Sequence, residues 1–281
     1  MKKMSMLILE KTSSSAQFQK IPFMYFISMR DRYVNNITHE QVRRIVTNLF
    51  SYAILFEVST ERKSKNDIER SVMEFFGGEE QLQELVRKTK DMRNRQIEKF
   101  AMIQEGNKLE KLAALYSLMD FYDVNRGIIN NYYSKENGYN LEHLVVNDNN
   151  TIEWIVGEEK RIIRLDDEQA KKRKKRTINY VLINKTLNGD LESFDIITKI
   201  QKILEWHEAR NFAIPVHVKV IFDAIQATEG YNELVTLKNN GVLDVDIIKE
   251  KYAAFLDTYF ETSMDARTRE ALSNAFRESF R

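Results

Sequence analysis

A glutamate and a histidine stand side by side in the short apolar segment YNLEHLVVND, at Glu142 and His143. Histidine titrates near neutral pH, so it can act as a general base that takes a proton from water. A carboxylate is the kind of hard ligand that binds Mg²⁺ or Mn²⁺. Farther along the chain, Asn179 and Asn188 could orient the base and supply a second metal ligand. The alternative is an ordinary strand histidine beside a surface glutamate, because spacing alone does not separate the two interpretations.

A run of six consecutive cations lies between this histidine and the two asparagines. The run is Lys171, Lys172, Arg173, Lys174, Lys175 and Arg176. Such a run can neutralise several phosphates of a nucleic-acid backbone without reading its sequence. Its position beside the candidate base favours a clamp on the DNA backbone. The alternative is a solvated helix end, where the helix dipole itself favours cations.

The composition excludes several classes of protein and several kinds of functional site. The 281 residues include no cysteine, which excludes disulfides, thiolate metal sites and thiol nucleophiles. The formal net charge of +1 provides no global field towards nucleic acid, so any electrostatic footprint must be local. No apolar run reaches the length of a membrane span, and the start of the chain does not resemble a signal peptide. We therefore expect a cytoplasmic protein with no membrane partner.

The elements that must position these residues follow from the local patterns. Only two prolines and nine glycines interrupt the chain, which predicts a mainly helical protein with a small β insertion. Residues 1–135 are predicted to form a helical block, and residues 136–281 to form a second region. In that region LEHLVV, TIEWIV and KRIIRL have the pattern of strands, and DDEQAKKRKKR that of a short helix. Further helices are predicted at 194–210, 216–227, 245–260 and 266–280.

The histidine and asparagine segments resemble a known nuclease family. YNLEHLVVND with the following TIEW, and then TINYVLINKTLNGDLESF, are similar to the C-terminal His-Me finger (HNH) region of GmrSD-type modification-dependent restriction enzymes. In that family an acidic-His-aliphatic-aliphatic-Pro strand precedes a tryptophan, which Glu142, His143 and Trp154 match. Two asparagines nine positions apart follow, matched by Asn179 and Asn188. The resemblance covers about 60 residues, 139–198.

The resemblance implies a fold and a role for each matched residue. It implies a ββα-metal finger embedded in further helices, with His143 as general base. Glu142 and Asn188 would lie on the metal side, with Mg²⁺ or Mn²⁺ bound, and Asn179 would be the asparagine that shapes the catalytic loop. DNA would be the substrate of this restriction or defence endonuclease. Nothing in the chain resembles the ParB-like half of these enzymes, so we expect a separate NTP-hydrolysing partner subunit, with this chain as a C-terminal half, a nuclease subunit or a decayed relative.

Two positions depart from the family pattern. Val146 stands where the family has proline, and Ile178 where it usually has glycine. Both family residues shape the backbone, so their loss raises a second hypothesis, a catalytically degenerate subunit that binds nucleic acid or a partner. A third hypothesis is a purely structural helical scaffold.

Overall fold

The computed structural model describes the C-terminal half of the chain. The described residues are 139–279 except Glu192, together with Asp91, Asn94, Leu112 and Tyr116, which are all helical. The helical block predicted for residues 1–135 therefore lies outside the described residues, apart from those four positions.

The chain divides into two compact units. The first contains Met1–Ile103 with Lys108–Leu118, and the second contains Gln104–Asn107 with Met119–Arg281. The described residues 139–279 belong to the second unit, which is mainly α-helical with a small β part. Among the described residues, no helix has both the length and the apolar character that a membrane span needs.

Four short strands form two separate antiparallel pairs in this part of the chain. They are β1 (Tyr139–His143), β2 (Thr151–Val156), β3 (Glu159–Arg164) and β4 (Tyr180–Asn184). β2 and β3 form a hairpin whose turn begins at Gly157, with φ at 59° in the left-handed region that glycine adopts readily. β1 pairs with β4, and His143 lies directly opposite Tyr180 in the register. The chain thus leaves β1, forms the hairpin and returns to pair with β1.

Helices follow and surround the strands. They are α1 (Ala170–Lys174), α2 (Lys185–Leu191), α3 (Ile196–Ala209), α4 (Val216–Gln226), α5 (Glu229–Asn239), α6 (Val245–Tyr259) and α7 (Thr262–Ser279), with a 3-10 turn at Thr177–Asn179. Asp195 begins α3 because its carboxylate accepts hydrogen bonds from the backbone N–H groups of Ile197 and Thr198, at 3.0 and 3.2 Å. Asp244 begins α6 in the same way.

The helices predicted from sequence correspond to α3, α4, α6 and α7 to within a few residues. α5 was not predicted, because its residues Gly230, Asn232 and Thr236 favour a helix poorly. Tertiary packing accounts for it. A side chain at position 230 would bring its Cβ within 2.8 Å of the Phe255 Cα atom, so glycine there permits α5 to lie directly against α6.

The first strand is shorter than predicted. The pattern LEHLVV predicts a strand through Val146, but β1 ends at His143 and the next three residues form a buried bend. The backbone N–H groups of Val145 and Val146 both donate to the side-chain oxygen of Asn179, each at 2.9 Å. These N–H groups bond to a side chain and not to a neighbouring strand, so the strand ends here.

Polar contacts attach the hairpin to the helices. The indole N–H of Trp154 in β2 donates to the carbonyl oxygen of Val242 at 2.9 Å. The ammonium group of Lys238 lies 4.8 Å from the centre of the Trp154 ring and 2.5 Å from the Asp195 carboxylate. Trp154 and Asp195 are both fully buried. The tryptophan is therefore an anchor between the hairpin and the turns that begin α3 and follow α5.

Candidate active site

The candidate site is built on a ββα unit made of β1, β4 and α2. β1 and β4 are antiparallel neighbours, and α2 follows β4 directly and packs against both strands. His143 is the last residue of β1, Asn179 immediately precedes β4, and Asn188 lies on α2. The chain therefore brings the elements that carry these three residues together, although His143 and Asn179 are separated in sequence by a hairpin and a helix.

His143 is a partly buried histidine in contact with Tyr180. Its Nε2 atom and the Tyr180 hydroxyl share a hydrogen bond of 3.0 Å, and the two ring centres are 4.6 Å apart. Burial, together with the nearby cations Lys174 and Lys199, lowers the pKa of His143 to about 4. The imidazole is therefore neutral at neutral pH, which is the state in which a histidine can accept a proton.

Asn179 holds the loop that follows His143. Its side chain is completely buried, and its Oδ1 atom accepts the two hydrogen bonds from Val145 and Val146. Its Nδ2 atom donates to the carbonyl oxygens of Val146 at 2.9 Å and Lys174 at 3.2 Å. One side chain thus satisfies four backbone groups from two segments, the bend after β1 and the end of α1. These are the contacts of a residue that orients the backbone next to His143.

Glu142 lies on a different face of the strand from His143. Consecutive strand residues point to opposite sides, and the Glu142 carboxylate meets the ammonium group of Lys199 in α3 at 2.5 Å. Glu142 is 5% exposed and Lys199 is 2% exposed. Lys199 also donates to the carbonyl oxygen of His143 at 2.6 Å. The pair is a buried ionic contact that ties β1 to α3.

The predicted metal ligands differ in how well they suit a divalent ion. The Asn188 Oδ1 atom is buried and has no hydrogen-bond donor in reach among the described residues, so it is a free hard ligand. The Glu142 carboxylate, in contrast, already faces a lysine cation. In the part of the chain that the structure describes, there is also no group of three or more acidic or histidine side chains that could hold a metal ion. Asn188 thus offers a buried oxygen without a hydrogen bond, whereas the Glu142 carboxylate is paired with Lys199 on the face of β1 opposite to His143.

Only half of the basic run forms ion pairs with described residues. Arg173 is 6% exposed and forms ion pairs with Asp167, at 3.1 Å, and with Asp257. Arg176 pairs with the buried Asp265 of α7, and Lys174 pairs with Asp148 in the loop after β1. The other three cations, Lys171, Lys172 and Lys175, are exposed and form no ion pair with any described residue. The two arginines of the run therefore hold acidic residues of the fold, Lys174 forms a more exposed pair, and the other three cations lie at the surface.

Two residues of the site were not identified from sequence. Lys199 interrupts the apolar stripe of Ile196, Ile200 and Ile203, and a lysine at such a position signals a buried partner. Tyr180 carries no signal beyond its position next to Asn179. Burial raises the pKa of the Tyr180 hydroxyl to about 12, even farther above neutral pH than its ordinary value of 10.

Comparison of the chain with protein-family models, with curated proteins and with solved structures found no match.

Proposed function

We propose that this protein is a metal-dependent DNA endonuclease, or the nuclease subunit of a GmrSD-like restriction system, in which His143 is the general base. The observation that carries the proposal is the neutral imidazole at the end of β1, in a ββα unit whose loop is held by a buried asparagine. The resemblance of residues 139–198 to a His-Me finger gives the same residues the same roles.

The proposed mechanism is hydrolysis of a phosphodiester bond. His143 accepts the proton of a water molecule that attacks the phosphorus atom. Asn179 keeps the loop, and with it the imidazole, in position. A bound Mg²⁺ or Mn²⁺ would stabilise negative charge on the phosphate and the leaving oxygen. Asn188 would hold that ion, and phosphate oxygens and water would complete its ligands, as is common for Mg²⁺.

The first experiment is a supercoiled-plasmid cleavage assay with Mg²⁺, Mn²⁺ or EDTA, on unmodified and base-modified DNA. We expect nicking that needs the metal and that falls by about 100-fold or more in His143→Ala, as removal of a general base typically does. His207→Ala is the matched control, since it removes a buried histidine of α3 and leaves His143 in place. Equal nicking by wild type and His143→Ala would contradict the proposal.

A second candidate function is DNA binding without cleavage. The specific observation in its favour is the Glu142–Lys199 pair, which leaves the candidate metal site short of a carboxylate. This alternative predicts salt-sensitive binding of DNA and no metal-dependent nicking. Absence of nicking also has to be tested with a ParB-like NTP-hydrolysing partner added, because the resemblance implies such a subunit.

The basic run provides a test of DNA binding that is independent of cleavage. We expect the triple variant of the exposed cations, Lys171, Lys172 and Lys175 to Gln, to weaken binding in EDTA. The salt slope should fall by about 0.9 for each phosphate that the variant no longer neutralises. The matched control removes three cations from α4, α6 and α7, namely Lys219, Lys251 and Arg267. Equally weakened binding in both triple variants would show that only net charge matters.

A further inference from the structure

Tyr180 forms a hydrogen bond with the imidazole of His143. The Tyr180 hydroxyl lies 3.0 Å from Nε2, and the two residues are directly opposite in the β1–β4 pair. The strand pairing therefore fixes the position of the hydroxyl relative to the ring. The Tyr180 side chain is also mostly buried, and its ring packs against the imidazole at 4.6 Å between centres.

This hydrogen bond decides which nitrogen of His143 can accept a proton. A neutral imidazole has one N–H group and one nitrogen with a free lone pair. If Nε2 carries the hydrogen and donates to the Tyr180 oxygen, Nδ1 is free to accept a proton from water. If Tyr180 donates to Nε2, Nδ1 carries the hydrogen and neither nitrogen is available. Only the tautomer that carries its hydrogen on Nε2 can therefore act as a general base.

We propose that Tyr180 is a positioning residue that accepts a hydrogen bond from Nε2 of His143 and thereby leaves Nδ1 as the proton acceptor. The proposal rests on the nuclease function proposed above. The surroundings favour this arrangement. The Tyr180 hydroxyl lies 3.0 Å from Nε2, so Nδ1 is the nitrogen left to accept a proton from water, and it can do so only if the ring hydrogen is on Nε2. The Tyr180 hydroxyl remains an intact phenol, whose oxygen can accept a hydrogen bond.

The tautomer can be measured directly in the full chain. In protein labelled with ¹⁵N-histidine, long-range ¹H–¹⁵N spectra at pH 7 distinguish a protonated nitrogen from one with a lone pair. The chain has four histidines, and the signals of His143 are those that disappear in His143→Ala. We expect a protonated Nε2 and an unprotonated Nδ1. A proton on Nδ1 would overturn the inference, whatever the cleavage assay shows.

The functional test measures turnover of the variant Tyr180→Phe. This variant retains the aromatic ring against the imidazole and removes the hydroxyl. We expect turnover to fall by about tenfold to 100-fold, by analogy with removal of the hydrogen-bond partner of a metal-bound histidine, with DNA affinity in EDTA unchanged. Combined with His143→Ala, the second substitution should have no further effect, because Tyr180 acts through His143. Tyr231→Phe, which removes a hydroxyl from α5, is the matched control.

The remaining outcomes separate this inference from the proposed function. The wild-type protein could lack nuclease activity even with a ParB-like partner, while Nε2 is protonated and Tyr180→Phe disturbs this state. That result would contradict the nuclease function and support the orientation of His143 by Tyr180. If the wild type is active and Tyr180→Phe has the same turnover, the inference is wrong and the proposed nuclease function still holds. If Tyr180→Phe does not fold, tyrosine can be replaced by 3-fluorotyrosine, whose phenol oxygen is a weaker hydrogen-bond acceptor. An unshifted Nε2 signal of His143 in that protein would overturn the inference.

Discussion

His143 is held neutral by its surroundings, and the pH dependence of stability should report this. Its pKa of about 4 in the folded protein lies below the usual value of 6.5. Between these two values the unfolded chain binds a proton that the folded protein does not, so stability is lost as the pH falls through this window. Above it both states are neutral, and the histidine makes no contribution to the pH dependence.

The prediction compares wild type with His143→Gln, which does not titrate. We expect wild type to lose more unfolding free energy than the variant between about pH 7.5 and pH 5, measured by urea denaturation at each pH. Carboxylates titrate in both proteins and cancel in the comparison. The same decrease in both proteins would mean that the imidazole is not desolvated.

The buried ion pair of Glu142 and Lys199 gives a second prediction at the scale of single residues. Removing one partner of such a pair leaves an uncompensated buried charge, which typically costs about 3–5 kcal/mol. We therefore expect Lys199→Met to be strongly destabilised in urea denaturation, and the double variant with Glu142→Leu to recover most of that stability. A Lys199→Met variant as stable as wild type would show that the pair does not contribute in this way.

At the scale of elements, the packing of α5 on α6 depends on Gly230. A Cβ atom at this position would meet the backbone of Phe255 at 2.8 Å, which forces the helices apart. We expect Gly230→Ala to lower the unfolding free energy by about 1–3 kcal/mol, as overpacked sites typically do.

Gly189 in α2 is the matched control for this substitution. It is also helical, but no atom lies within 4 Å of a Cβ built there. Gly189→Ala should therefore stabilise the protein by up to about 1 kcal/mol through helix propensity alone. Thermal and urea unfolding of both variants measure the contrast. Equal changes in stability for the two variants would show that the contact between α5 and α6 does not restrict the side chain at position 230.

The elements also show what local sequence patterns can and cannot predict. Helical periodicity located α3, α4, α6 and α7, because apolar residues recur in each of them at helical spacing. The end of β1 was not predictable in this way. Val145 and Val146 have the residue types of a strand, but their N–H groups bond to Asn179, which lies 34 and 33 positions away. A side chain so distant in sequence leaves no trace in the local pattern.

For the whole described region, candidate site residues can be proposed from the sequence, but their contact partners cannot. The sequence suggests His143, Asn179 and Asn188 as site residues, and these lie in or next to β1, β4 and α2. The pairing of Glu142 with Lys199 spans 57 positions and follows only from the packing of α3 on β1. The basic run likewise looks uniform in sequence, but the acidic residues of α6 and α7 engage two of its arginines.

The outer edge of β4 has a consequence for how the protein is made. The N–H group of Leu182 points away from β1 and donates to Nε2 of the buried His217 in α4, at 2.9 Å. During synthesis, β1 leaves the ribosome before its partner β4. The outer edge of β4 then stays uncovered until α4 has also left the ribosome. Exposed strand edges promote aggregation. A ribosome that stalls between these two points would present a nascent chain with an unprotected strand, which is the type of surface that chaperones bind.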